Sequence, residues 1–177
     1  MNQLSLPVPE VEPSPCLWPY ISGSEFPVYY KWGSGLTLPG SLWRLAFEFG
    51  STQWNYVEVK PVFIFDQNAS TVVETYDDPL SGNRGITTFI CAGPIGHLLP
   101  TDVKIRGNVA LDTQDHYSIN QRRGIAAHEV GHGTLIDHIP NSYSWPALMH
   151  EIMDLPDFEV INVPQPADIA LVNQKYP

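Results

Sequence analysis

The run from His128 to His138 constrains the fold more than any other part of the sequence, because its spacing requires a particular local structure. His128 and His132 stand four residues apart. On an α-helix this spacing places both imidazoles on one face, one turn apart. Two neutral imidazoles in this arrangement can share one Zn²⁺ at about 2.0–2.1 Å. The sequence therefore predicts a helix that carries a metal site.

Two further residues extend the pattern. Glu129 lies beside the first histidine, where it can reach a metal-bound water without ligating the metal. His138 can return as a third ligand if the chain turns after the helix, and we expect the turn at Gly133, since glycine accepts the left-handed conformation. Asp137 is the alternative third ligand, because a carboxylate also binds zinc. Three protein ligands leave one position for water, which is typical of a catalytic zinc.

The surroundings of this run resemble the metzincin clan of zinc endopeptidases, and the matrixins above all. Metzincins carry the same two histidines and glutamate, a third histidine six residues later, and a methionine turn beneath the metal. The Ala-Leu-Met run that ends at Met149 resembles that turn. Residues 106–112 resemble the matrixin strand before the active-site helix, and Asp168 with Tyr176 resembles the closing helix. The family has a glycine where this chain has Leu135.

This resemblance implies a zinc metalloendopeptidase that hydrolyses peptide bonds with a metal-activated water and Glu129 as general base. One catalytic Zn²⁺ would be bound by His128, His132 and His138, above an apolar floor formed by Met149. The strand at residues 86–91 would border the cleft as a sheet edge, where an extended peptide pairs with the backbone. The expected substrate-contacting residues are Ile86, Thr87, Thr88, Phe89, Ile90, Cys91 and His150.

An alternative hypothesis belongs to another class of protein. The chain could be a non-catalytic structural or assembly protein on a metzincin scaffold, in which zinc only stabilises the fold. A separate N-terminal arm would suit a subunit of a larger particle. Glu129 favours the enzyme, because a purely structural zinc site does not need a base beside it.

Hydrophobic patterning predicts a mixed α/β arrangement, in which a twisted sheet packs on two helices and a small C-terminal part carries a third. The resemblance implies that this α/β (α+β) fold is of the zincin or metzincin-like kind: a mostly parallel sheet of about five strands with two helices, then a small C-terminal subdomain with the methionine turn and a final helix. Residues 41–54 fit a strand or a helix, and the resemblance favours the helix. Ser118 with Gln121 forms a capping box that predicts the start of the active-site helix, and Pro166 predicts the start of the last helix. Strands are predicted at 26–32, 57–65, 70–76, 86–91 and 104–111.

Length and charge limit the possible partners. A chain of 177 residues is long enough to bury one core. Residues 1–25 are rich in proline and predict an arm that a partner chain could order. The resemblance implies that residues 26–177 form a metzincin-like catalytic domain. The net charge of −10 argues against nucleic acid or an anionic membrane as a partner. No apolar run approaches the ~20 residues of a membrane span. The partner that the resemblance implies is a peptide or protein substrate.

The compartment stays open. Residues 1–12 have neither a basic start nor an apolar stretch, so no signal peptide is predicted. Metzincins usually work outside cells, which leaves nonclassical secretion, the cytoplasm, or a virion or other particle as alternatives.

The cysteines and one polar loop give weaker indications. Cys16 and Cys91 could form a single bridge, but the sequence does not show whether they lie close together. Cys16 could instead bind the zinc as a latency switch, although a buried thiol is the favoured interpretation. The loop with Asp77, Asp78 and Asn83 could hold Ca²⁺, since oxygen ligands suit that ion. Solvated turn residues are favoured there, because the spacing matches no known calcium loop.

Overall fold

A computed structural model describes residues 15–94, 98–142, 146–151 and 153–177. Within them a five-stranded sheet has the strand order β2-β1-β3-β5-β4. All neighbouring pairs are parallel except β4 with β5, which is antiparallel. The predicted mostly parallel sheet of an α/β fold is therefore confirmed. The strands are β1 (Phe26–Trp32), β2 (Pro61–Phe65), β3 (Thr71–Tyr76), β4 (Gly85–Ala92) and β5 (Leu99–Asn108).

Five helices occur in the described part of the chain, two more than predicted. The ambiguous stretch at residues 41–54 is helical, and both the capping box at Ser118 and the helix start at Pro166 are confirmed. The two additional helices, α2 and α4, are short, so their hydrophobic periodicity spans too few residues to be recognised. The helices are α1 (Leu42–Tyr56), α2 (Val109–Asp115), α3 (Ile119–His132), α4 (Leu155–Val160) and α5 (Pro166–Lys175).

Three predicted strand boundaries are wrong. The strand predicted to begin at residue 104 begins at Leu99, and at the other two boundaries a helix or the connection after a helix shortens the strand. The strand predicted at 104–111 ends at Asn108, whose side-chain oxygen accepts the N–H of Ala110 at 3.1 Å and caps α2. The strand predicted at 57–65 begins only at Pro61. Helix α1 continues through Tyr56, so residues 57–60 are needed to reverse the chain. In both places local apolar content indicated a strand that the connection does not permit.

The main core lies where α1 and α3 cross beside the sheet. A Cβ on Gly50 of α1 would lie 2.9 Å from the Cα of Ala127 in α3, so this close crossing requires glycine. The fully buried Trp54 donates its indole N–H to the carbonyl of Ala127 at 2.8 Å. These contacts fix the position of the helix that carries the first two histidines.

The described part of the N-terminal arm lies on its own domain. Cys16 forms a disulfide with Cys91 of β4, with 5.5 Å between their Cα atoms. Both the buried-thiol interpretation and the latency switch are therefore wrong for Cys16. Leu17 donates its N–H to the carbonyl of Leu98 at 3.0 Å, just before β5. The arm continues into residues 1–14, which lie outside the described residues, so a partner chain that orders it stays a prediction.

The polar loop between β3 and β4 is organised by turns. A carboxylate oxygen of Asp78 accepts the N–H groups of Leu80 and Ser81 at 3.0 and 3.1 Å. This is the ordinary turn role of an aspartate, and calcium binding there remains only an alternative prediction. Among the described residues, no helix is long and apolar enough to cross a membrane.

Candidate metal centre

Helix α3 places His128 and His132 side by side near its C-terminal end. Ser118 accepts the N–H of Gln121, and the Gln121 side chain accepts the N–H of Ser118, so the capping box fixes the first turn. Ten residues later the spacing of four brings the two imidazole rings to 4.9 Å between centroids. The predicted sharing of one helix face by His128 and His132 is therefore observed.

Both helix-borne imidazoles are oriented by backbone carbonyls. The Nδ1 atom of His128 lies 2.7 Å from the carbonyl oxygen of Leu148, and that of His132 lies 3.0 Å from the carbonyl oxygen of Ile136. A carbonyl can only accept, so Nδ1 carries the proton in each ring. The Nε2 atom is then an unprotonated lone pair, which is the form that binds a metal.

The chain turns after α3, but the strained residue differs from the one expected. Gly133 follows the helix in a right-handed conformation, with φ −61°, and the left-handed residue is Leu135, with φ 65°. The prediction of a left-handed Gly133 is therefore wrong. A Cβ on Gly133 would lie 2.8 Å from the carbonyl oxygen of Val130, so glycine is needed there for close approach. The left-handed backbone conformation of Leu135 costs roughly 1–2 kcal/mol. Complete burial of the Leu135 side chain offsets this cost.

This turn brings His138 back to the helix. Its Nε2 atom lies 3.3 Å from that of His128 and 3.0 Å from that of His132. The Asp137 carboxylate, the alternative third ligand, instead accepts the backbone N–H of His138 at 2.7 Å. In the part of the chain that the structure describes, these three histidines are the group whose geometry could hold a metal ion.

The donor set of this site fits a cation better than it fits a proton. With Nδ1 protonated in His128 and His132, their two Nε2 lone pairs point towards the same region. His138 can donate one N–H to either of these two lone pairs. The remaining Nε2 lone pair then has no hydrogen to accept from the other rings. Ligands at about 2.0–2.1 Å in a tetrahedral site stand about 3.3 Å apart, close to the two distances observed. A small cation is therefore the partner that would satisfy all three rings.

The electrostatic surroundings keep these rings neutral. Burial is the main cause that lowers the pKa of His128 well below its usual value and that of His132 to about 4. Burial also lowers the pKa of His138, although the Asp137 and Glu151 carboxylates oppose this shift. Neutral imidazole is the ligating form, so all three rings are ready to bind a metal near neutral pH.

Glu129 lies between the histidines and the edge strand β4. The Thr87 hydroxyl is 2.8 Å from the Oε2 atom of Glu129 and 2.9 Å from its backbone oxygen. Burial raises the pKa of Glu129 to about 8, against the opposing effects of the Thr87 hydroxyl and the Arg106 charge. A carboxyl group whose pKa lies near neutrality can both take up and release a proton.

A buried carboxylate supports the loop that contains Met149. Asp168 of α5 is fully buried and accepts the N–H groups of Leu148 and Met149 at 2.8 and 3.0 Å. Burial raises the Asp168 pKa, and these hydrogen bonds oppose that shift. Because the carbonyl of the same Leu148 orients His128, Asp168 acts on the histidine through one peptide unit. The fully buried Met149 packs against Gly131 of α3, where a Cβ would collide with its sulfur.

A cleft of about 430 Å³ opens at the histidines. Of the expected substrate-contacting residues, Ile86, Thr87, Phe89 and His150 line it. Thr88 instead accepts a hydrogen bond from the Arg106 guanidinium at 3.3 Å, Ile90 is 58% exposed, and Cys91 is committed to the disulfide. The half of β4 nearest the histidines is thus the part that faces the cleft.

Three residues shape the site through contacts that the sequence did not predict, although Thr87 was expected to touch the substrate. Gly85 leaves space for Glu129, the Thr87 hydroxyl binds that glutamate, and Asp168 supports the loop above His128. A signal existed only for Asp168, an acid in the first turn of a helix that begins with proline. The contacts of Gly85 and Thr87 span more than 40 residues, and no local pattern encodes them.

No protein-family model and no curated protein matches this sequence.

Proposed function

We propose that this protein is a zinc-dependent endopeptidase of the metzincin kind. The observation that carries the proposal is the convergence of His128, His132 and His138 through their Nε2 atoms, 3.0 and 3.3 Å apart, beside a buried glutamate. Backbone carbonyls orient the rings of His128 and His132. Metal-ligating histidines usually donate their second ring N–H to such an acceptor. The Ala-Leu-Met loop, whose Leu148 carbonyl lies 2.7 Å from His128 Nδ1, is consistent with the methionine turn of that clan.

Zinc is the metal that this donor set suits best. Three nitrogen ligands at tetrahedral separations leave one position open, as in catalytic rather than structural zinc sites. When bound, zinc would act as a Lewis acid that polarises a carbonyl and lowers the pKa of water to about 7. A structural zinc site normally uses four protein ligands, and no fourth joins the three histidines among the described residues.

Glu129 is the proposed general base. It lies next to the ligand His128 in sequence but its carboxylate turns towards β4, where it accepts a hydrogen bond from Thr87. Its raised pKa, about 8, reflects burial, and a cation held by the neighbouring histidines would favour the ionised form. The ionised carboxylate would take a proton from the attacking water and later give it to the leaving amine.

The edge strand β4 is the proposed substrate platform. It is the last strand of the sheet, paired only with β5 in the described residues, so its outer backbone groups can bind an extended peptide. Its residues Ile86, Thr87 and Phe89 line the cleft beside the histidines. A peptide bound along a strand edge crosses the site in mid-chain, which favours an endopeptidase over an enzyme that trims chain ends.

The test combines metal content with peptide cleavage. We expect about one zinc per chain, cleavage of casein or gelatin, and loss of cleavage on chelation. Glu129→Gln should keep the zinc and lower the cleavage rate by about 10²–10⁴-fold, whereas the exposed Glu25→Gln should have no effect. A protein that binds zinc but cleaves nothing, with Glu129→Gln equally folded, would favour the structural or assembly alternative. A protein that takes up no zinc would exclude both.

A further inference from the structure

The two carboxylate oxygens of Glu129 have different surroundings. Oε2 lies 2.8 Å from the Thr87 hydroxyl. Oε1 has no hydrogen-bond partner among the described residues, and it lies beside Gly85, where a Cβ would come within 2.6 Å of it. One oxygen is therefore held by the protein, and the other faces a position that has no side chain.

Gly85 and Thr87 act from the same face of β4. Residues two apart on a strand point to the same side, and both contact the same glutamate of α3. The Thr87 hydroxyl also lies 2.9 Å from the backbone oxygen of Glu129, so its position is set by the helix as well as by the strand. The edge strand thus provides a hydroxyl for one carboxylate oxygen and open space for the other.

We propose that Thr87 is a positioning residue that selects Oε1 as the working oxygen of Glu129, and that Gly85 keeps that oxygen accessible. This inference rests on the proposed peptidase function. By binding Oε2, Thr87 limits rotation of the carboxylate and directs Oε1 to the cleft. A glutamate without this contact could rotate among several orientations, and only some of them would reach an attacking water.

The physical reason for the contact is also clear from burial. A buried carboxylate oxygen without a hydrogen bond is costly, and Glu129 is only 6% exposed. The Thr87 hydroxyl has one hydrogen to donate, and its shorter distance, 2.8 Å, is to Oε2 rather than to the backbone oxygen of Glu129. Oε1 is then the oxygen that can accept a hydrogen bond from a water molecule or a reacting group. This hydrogen-bonding capacity is left available for the reaction.

The first experiment compares Thr87→Val, which removes the hydroxyl but keeps the shape, with Thr87→Ser, which keeps the hydroxyl. We expect Thr87→Val to lower kcat by about 10- to 100-fold, as for a lost hydrogen bond to a charged group. KM should change by less than about threefold, and zinc content should stay the same. Thr87→Ser should stay within about threefold of the wild type. Thr71→Val in β3 makes the same chemical change away from the cleft and should leave kcat unaltered.

Gly85→Ala tests the second half of the inference. The added methyl group should displace the carboxylate and lower kcat with zinc content unchanged. If the wild type is active and either Thr87→Val or Gly85→Ala cleaves peptides at the wild-type kcat, the inference is overturned. The proposed function would remain intact.

A measurement on the metal-free protein distinguishes failure of this inference from failure of the proposed peptidase function. A double-mutant cycle with Thr87→Val and Glu129→Met in urea unfolding should show coupling of about tenfold in the unfolding equilibrium constant. Coupling below about twofold would overturn the contact, whether or not the wild type is active. A coupled pair in a protein that cleaves no peptide would instead refute the peptidase function and, with it, the selection of a working oxygen.

Discussion

The three histidines are held in two different ways. His128 and His132 lie on a helix that crosses the core at Gly50 and Ala127, and backbone carbonyls orient both rings. His138 lies on the loop after the turn at Leu135, and 39% of its side chain is exposed. The fold therefore prepares two ligands in advance, and the third has fewer contacts that fix it. We expect the metal to complete the order of the loop rather than that of the helix.

The largest effects should come from removing the ligands themselves. Loss of an outer-shell partner costs about 10–100-fold in metal affinity, so His132→Ala should cost more than about 100-fold. His138→Ala should cost less than His132→Ala, because water can enter from the exposed side while the two prepared rings remain. Competition with a zinc chelator measures both affinities. Equal losses would show that the loop histidine is as well prepared as the helical ones.

Asp168→Asn should weaken the helix-borne half of the site from a distance. An amide has only one accepting oxygen, so it cannot receive the N–H groups of Gln165, Leu148 and Met149 as the carboxylate does. We expect zinc affinity to fall by about 10–100-fold. Asp157→Asn is the matched control, since Asp157 is the exposed capping acid of α4, and its effect should be negligible. Similar losses in the two variants would refute a link between Asp168 and His128.

Acid should separate the two kinds of ligand in the metal-free protein. The folded pKa of His132, about 4, lies below the value of about 6.5 in the unfolded chain. The unfolded state then binds more protons between these values, so stability present at neutral pH is lost as pH falls. Each such histidine should cost about 1 kcal/mol between pH 6.5 and 5.5. NMR titration should show His138 gaining its proton first, because it is partly exposed and faces Asp137 and Glu151.

The smallest expected effect concerns the charge next to the loop ligand. The Asp137 carboxylate lies 3.8 Å from the Nδ1 atom of His138, and its side chain is 63% exposed. Exposed pairs of this kind contribute about 0–1 kcal/mol. Asp137→Asn should therefore change zinc affinity by about fivefold or less. A loss as large as that of His138→Ala would mean that Asp137 itself binds the metal.

Sequence reasoning succeeded where the information is local. The four-residue spacing of His128 and His132 and the capping box at Ser118 depend on one helix, and both appear as expected. The mostly parallel sheet was instead expected from the family resemblance, because among the described elements only α1 lies between two strands. The histidine spacing and the capping box are local features. Such features require no knowledge of which distant residues meet.

It failed where tertiary contacts override local preference. Leucine disfavours the left-handed region, so the turn was expected at Gly133, but complete burial of Leu135 outweighs the strain. Helix α2 replaced the end of a predicted strand because Asn108 could cap it. The contact between Thr87 and Glu129 joins residues 42 positions apart, and the Cys16–Cys91 bridge spans 75. Pairings of that kind cannot be read from a single sequence.

The Cys16–Cys91 bridge also divides the chain into two parts that differ in the conformational entropy of their unfolded state. It closes a loop that contains β1, β2, β3, α1 and most of β4, while α3 and all three histidines lie outside it. A closed loop of this length reduces the freedom of the unfolded chain by about 4 kcal/mol at 25 °C in the chain-entropy description. That stabilisation requires an oxidising environment. The persistence of the folded protein should therefore depend on the redox state of its surroundings, whereas the orientation of the histidine rings should not.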